Sequence, residues 1–347
     1  MKSKFVLPLL TLGAATAFFI PATPGTAADA AGKSTTPATP ATPATSAKKK
    51  ILFFSKSSGF EHSVISYKNG QPSWAEKQLL AIGEKQNWEF TFSKDGSLFS
   101  PDYLKQFDAV LFYTTGDLTS PGTDKQPPMT AAGKQALLDY VKNGGAFAGT
   151  HSATDTFHTD NESKKGPDRY VNHGEKADSY VRMIGAEFIK HGAQQSAKNT
   201  VINPKFPGME NLGASFDLNE EWYSLKDFRD DLHVLLLQDS PAMKGIDYQR
   251  PAYPSTWARM EGKGHVFYTS MGHREDVWTN PLFHSVLTGG LSWAMGLTPA
   301  EIPANIKETA PGAWTNPPFP TETKPADKPA GKPTAKPAGE PVPAAAK

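Results

Sequence analysis

The 347-residue chain contains no cysteine. That excludes a disulfide framework, a thiolate nucleophile and a lipid anchor of the lipobox type, so stability has to come from a core. Charge of either sign is not in excess, the formal net charge being +1, and no nucleic-acid or acidic partner is indicated. A bilayer-spanning run is missing as well. The longest apolar stretch, Phe5 to Ile20, holds Pro8 and is too short for a comfortable span. Glycine pairs do not open a helix: Gly144-Gly145 precede a strand, so neither a dinucleotide fingerprint nor a P-loop is present. The nine histidines show no His-x-x-x-His or His-Glu-x-x-His pattern that would set two ligands on one helix.

The ends of the chain have their own logic. Lys2 and Lys4 before the apolar run, and small residues at Ala27, Ala28 and Ala30, read as a secretory signal peptide over residues 1–30, which makes the protein exported, to the periplasm or beyond the cell. An uncleaved anchor is the minor alternative; after cleavage no membrane span remains. Residues 31–49 are a Thr/Pro/Ala-rich linker, and 301–347 a Pro/Lys/Ala-rich tail, both too poor in apolar bulk to offset the entropy of ordering. Residues 50–300 are left as one domain.

Within it, strand and helix signals alternate. Ile51 to Phe54, Trp88 to Phe92 and Ala109 to Tyr113 read as strands. Ser73-Trp74-Ala75-Glu76 is a capping box, and Thr130 caps a second helix that Gly144 is placed to end. Such alternation predicts an α/β fold: an open, mostly parallel sheet with flanking helices, whose ligands sit beyond the carboxyl ends of its strands. That rule gathers the loops Ser55–Ser63, Thr114–Asp117 and His151–His158 at one rim. The second half is less regular, with strands expected at 187–189, 200–202, 232–237, 255–260 and 264–269, the last two a hairpin through Gly262. Some of these are expected to be antiparallel.

The richest stretch is Gly144 to Asp155, where a glycine stop and a short apolar strand give way to reactive side chains. In an α/β hydrolase or a glutamine amidotransferase, the turn after such a strand is a nucleophile elbow. Here the central place of Gly149-Thr150-His151-Ser152-Ala153 is histidine, and Ser152 stands one place late. Acyl transfer is thereby excluded. His151 can serve as general acid or base, with Asp155 four residues on to orient it. Glu221, beside Trp222 and Tyr223, offers a carboxylate next to two aromatic platforms suited to sugar stacking. His273 and His62 follow glycines at strand ends and reach the same rim, with Thr114 and Ser152 as further substrate contacts. A plain structural reading stays open for each: His151 packed in a tight turn, Asp155 as a cap, Trp222 and Tyr223 buried. No metal or other cofactor is required, though a zinc-like site from His62, His151 and His273 is an alternative.

Gly149 to Phe157, Glu220 to Tyr223, Phe267 to His273 and the opening Ser55 to His62 together resemble the trehalose-utilisation (ThuA-like) family, over about Lys50 to Leu297. The resemblance implies a flavodoxin-like, class I glutamine amidotransferase-like fold lacking the thiol, so not a glutamine amidotransferase. It also implies a link to the catabolism of trehalose and related disaccharides or keto-sugars. Gly192 and Phe206 stand where family members commonly carry proline and histidine, which leaves the contacts of those loops open. The expectation is an enzyme performing hydrolysis, elimination or isomerisation on a small carbohydrate, with His151, Asp155, Glu221 and His273 catalytic. The alternative is a non-catalytic carbohydrate-binding or scaffolding protein.

Overall fold

The computed structural model describes residues 47–159 and 166–320. The expected leader, nearly all of the linker and the Lys-Pro-Ala repeats lie outside the described residues. Strand β1 (Lys49–Phe54) leads through α1 (Trp74–Gln86) to β2 (Trp88–Ser93), and α2 (Pro101–Leu104) leads to β3 (Ala109–Phe112). Helix α3 (Ala131–Lys142) then returns the chain to β4 (Ala146–Thr150). The capping box forms as expected: Ser73 accepts from the Glu76 amide while the Glu76 carboxylate accepts from the Ser73 amide. Thr130 caps α3 through the Gly133 amide.

The second half adds α4 (Ser179–Ile184), β5 (Glu187–His191), β6 (Gln195–Val201), β7 (Ser215–Glu220), β8 (Tyr223–Lys226) and β9 (His233–Gln238). It continues with β10 (Tyr253–Glu261), β11 (Gly264–Thr269), α5 (Glu275–Trp278), α6 (Pro281–Ala294) and α7 (Ile306–Thr309). Nine strands form one sheet in the order β2-β1-β3-β4-β11-β10-β9-β6-β7, and β5 pairs with β8 separately. From β2 through β11 the neighbours are parallel, and from β11 through β7 they are antiparallel. The expected mixed α/β sheet is what forms.

Alternate residues of each central strand enter opposite cores. Ile51 and Phe53 join Leu79 and Ile82 of α1 and Leu287 of α6, while Leu52 and Phe54 join Leu137 and Val141 of α3. A parallel sheet covered on both faces needs such continuous apolar runs. Burying each of these side chains contributes about 1.5–3 kcal/mol.

Two expectations change. Strands β7 and β8 were not anticipated, because Ser215–Glu220 alternates half-exposed residues on an edge strand and Tyr223–Lys226 is only four residues long. Residues 301–320 are not the start of a loose tail: Ile306, Ala310 and Ala313 are buried against the second core. Among the described residues no helix is long and apolar enough to cross a membrane.

Candidate functional site

Because β1, β3, β4 and β11 run parallel, their carboxyl ends meet at one rim. The loop after β1 carries His62, the turn after β4 carries His151, and the loop after β11 carries His273. The β7–β8 connection brings in Glu221. Gly149 makes the β4 turn possible, since a Cβ there would lie 2.9 Å from the Ala153 Cβ and 3.0 Å from Ile184. His151 itself has φ +44°, a left-handed backbone uncommon for a residue with a side chain and typical of strained reactive turns.

The three imidazoles form a near-equilateral triangle. Ring centres lie 5.0 Å apart for His62 and His151, 5.2 Å for His62 and His273, and 5.1 Å for His151 and His273. Glu221 Oε2 sits 3.1 Å from His273 Nδ1 and 3.6 Å from His151 Nε2, and those two nitrogens are 3.3 Å apart. His191 Nδ1 approaches Glu221 Oε1 at 3.4 Å. His151 Nδ1 lies 3.0 Å from the Ser270 carbonyl, which only accepts, so Nδ1 carries the proton and Nε2 faces the cluster with its lone pair. The four residues His62, His151, Glu221 and His273 thus converge their donor atoms within 4.8 Å and can hold a metal ion.

Electrostatics follow from burial and crowding. Burial holds the His62 imidazole well below its ordinary pKa, and the neighbouring His151 and His273 push the same way. Burial alone would raise the Glu221 carboxyl, but the His151 and His273 side chains beside it outweigh that and hold the group far below the usual carboxylate range. Burial raises Glu220, against the opposing pull of His151 and of the backbone amides it binds. An open polar cleft of about 390 Å³, lined by Ser63, Gln194, His273, Arg274, Glu275 and Asp276, reaches the cluster from the His273 side.

Not every expected residue joins the cluster. Asp155 does not orient His151; its Oδ1 accepts from His158 Nε2 at 2.7 Å and from Arg169 at 3.4 Å. The carboxylate facing His151 is Glu221. Trp222 is fully buried, its indole N–H donating to the Leu218 carbonyl at 3.2 Å. Tyr223 is also buried, its ring centre 4.3 Å from His151 and 4.1 Å from Phe188. Neither is an open platform for a sugar. Thr114 pairs with Thr156 at 2.8 Å and ties two rim loops together, and the Ser152 hydroxyl is buried.

Sequence reasoning passed over Glu220, Ser270, Gln194 and the role of His191. Glu220 Oε1 accepts from the Glu221 amide at 2.8 Å, and Oε2 accepts from the Gly272 and His273 amides at 2.9 and 3.2 Å. The adjacent carboxylates of Glu220-Glu221 were a usable signal, because one of two neighbours can turn inward while the other faces the rim.

The molecule is an open α/β sheet protein with histidine at the turn after β4 and no cysteine to act as a thiol nucleophile. The match to the ThuA family model, described as trehalose utilisation, covers residues 50–294. The chain belongs to that family. No functionally curated protein matches it. Among solved structures, a ThuA-like protein from Bacteroides uniformis is similar at 20% identity and TM-score 0.52, covering 74% of this chain and 95% of that one. A ThuA-like protein from Parabacteroides merdae aligns at 16% identity and TM-score 0.46, over 79% of this chain and 98% of that one. A β-galactosidase from Bacillus circulans sp. alkalophilus aligns at 12% identity and TM-score 0.43, over 72% of this chain and 31% of that one.

Proposed function

We propose that this chain is an exported carbohydrate-active enzyme that moves protons on a disaccharide or keto-sugar, in a hydrolysis, elimination or isomerisation. One observation carries the reading: His151, with its tautomer set by the Ser270 carbonyl, points its free Nε2 into a cluster shared with His273 and Glu221. A base so fixed can take a proton from a sugar hydroxyl or from carbon beside a keto group. His273, its Nδ1 paired with the Glu221 carboxylate and its ring partly exposed to the cleft, is placed to return a proton to the departing or neighbouring oxygen. The family's link to trehalose utilisation supports a disaccharide-derived substrate.

Proton NMR of the full chain incubated with disaccharides and their 3-keto derivatives tests this, with His151→Ala alongside. Turnover by the wild type and loss of at least roughly 100-fold in the variant is expected for an acid/base group. No turnover of any such sugar by the folded wild type overturns the proposal. The leader over residues 1–30 supports export, checked by finding the processed chain outside the cytoplasm.

A further inference from the structure

We infer that His62, His151, His273 and Glu221 form a binding site for one divalent transition-metal ion of the zinc type. The inference deepens the proposed reaction at the same site, but uptake of the ion stands or falls independently of any sugar chemistry.

Geometry is the first ground. Zinc–nitrogen and zinc–carboxylate bonds of about 2.0–2.1 Å in a tetrahedron set ligand atoms about 3.3–3.4 Å apart. The three separations found among Glu221 Oε2, His273 Nδ1 and His151 Nε2 are 3.1, 3.3 and 3.6 Å. An octahedral ion with bonds of the same length would draw adjacent ligands to about 3.0 Å, below all three. His62 completes the set, all four donors lying within 4.8 Å of one another.

The surroundings of the ligands are the second ground. His151 Nδ1 donates to the Ser270 carbonyl, the outer hydrogen bond that fixes a metal-binding imidazole with its other nitrogen free. His62 is buried, and its Nδ1 has no hydrogen-bond partner. A packed structural histidine would normally have found one. Glu221 has three histidines for its side-chain partners, His151, His273 and His191. The Glu221 carboxylate and the ring nitrogens of His151 and His273 are directed at one shared space. With an ion on His273 Nδ1, the ring proton would sit on Nε2, where the Gln194 amide, 3.0 Å away, would turn to present its oxygen as acceptor.

The neighbouring group His173, Glu187 and Asp227 makes the contrast. There the carboxylates are already spent: Glu187 accepts from Thr159 and pairs with His158 and Lys226, and Asp227 accepts the His173 and Gly174 amides. Of these two groups among the described residues, the rim cluster is the one whose donor atoms are left aimed at a common point.

The donor set selects the ion. Three imidazoles and one carboxylate suit zinc, cobalt, manganese or iron(II), whereas magnesium and calcium demand oxygen ligands. Such an ion, expanding to a fifth ligand on the cleft side, would hold a sugar carbonyl or hydroxyl oxygen and draw charge from it. The proton acceptor would then be a metal-bound water or His191, whose side chain is 41% exposed.

The test uses the untagged full chain, stripped with a chelator and titrated with Zn²⁺ and Co²⁺ by calorimetry and elemental analysis. One equivalent per chain is expected, with Co²⁺ giving the intense visible absorption of four- or five-coordination. His62→Ala, His273→Ala and Glu221→Gln should each weaken uptake by at least roughly 100-fold, while Glu187→Gln leaves it unchanged. Circular dichroism checks each fold, and the isosteric Glu221→Gln keeps the test readable if a histidine variant does not fold. Failure of the folded wild type to take up Zn²⁺, Co²⁺ or Mn²⁺ overturns the inference, as does uptake equal in all the ligand variants. Failure to take up any of these ions overturns the inference even if sugars are turned over; stoichiometric uptake without sugar turnover sustains it and overturns the proposed reaction.

Discussion

Glu220 holds His273 through the main chain: its Oε2 accepts the His273 amide at 3.2 Å and the adjoining Gly272 amide at 2.9 Å. Its other oxygen accepts the Glu221 amide at 2.8 Å. One buried carboxylate therefore fixes the end of β7 against the loop after β11 and sets two members of the cluster at once. Glutamine has the same shape but only one acceptor oxygen, so one of these amide sets would face an N–H₂ group. Glu220→Gln is expected to destabilise the fold by about 1–3 kcal/mol, the cost of leaving buried donors unsatisfied. Urea denaturation of the variant measures it; an unchanged midpoint would show that these hydrogen bonds do not brace the rim.

A second buried network sets a pH dependence. His158 lies between Asp155 at 2.7 Å and Glu187 at 3.1 Å. Burial works against the Glu187 anion, but hydrogen bonds and charge from His158, with help from Lys226, carry its pKa down from 4.5 to about 2. Its contribution is present above the unfolded value and is lost as pH falls from about 4.5 toward about 2. For His158, burial works against the cation, yet the hydrogen bonds to Asp155 and Glu187 raise its pKa above 6.5. That contribution is complete below 6.5 and is lost as pH climbs through the folded value. Unfolding midpoints measured from about pH 3 to about pH 9 should peak between those two limbs. In Glu187→Gln both limbs should flatten, because removing the carboxylate removes the acid-side group and one of the two partners that raise His158.

What was legible in the sequence was what local chemistry decides. The capping box at Ser73 and Glu76, the Thr130 cap and the apolar runs of β1, β3 and β4 follow from nearest-neighbour rules, and parallel order followed from their alternation with helices. That His62, His151 and His273 share a rim was legible for the same reason, since each follows a strand of that sheet. Partnership was not. Asp155 stands four residues from His151, a helical spacing, but the chain there forms a 3-10 turn that stops at Thr154, and Asp155 just past it pairs with His158 and Arg169. Glu221 meets His151 only because the β7–β8 connection folds back over the rim, a long-range event with no periodic signature. The aromatic pair Trp222 and Tyr223 looked like a sugar platform by composition; burial against Leu218 and Phe188 is a tertiary fact.

The backbone of His151 allows a test of strain that is separate from its chemistry. At φ +44° a side chain crowds the carbonyl that follows it, a penalty of roughly 1–2 kcal/mol that glycine escapes. Elsewhere, replacing alanine by glycine destabilises a fold by about 0.5–1 kcal/mol, because glycine loses more freedom on folding. The order should invert here, with His151→Gly more stable than His151→Ala by about 1 kcal/mol. Both variants lose the imidazole and leave the Ser270 carbonyl without its donor, so the difference between them isolates the backbone. Paired urea titrations give that difference directly. If alanine proves the more stable of the two, the turn is relaxed and histidine stands there for its side chain alone. If glycine does, the fold is holding the imidazole at the rim against a backbone preference, as elbow scaffolds hold their nucleophiles.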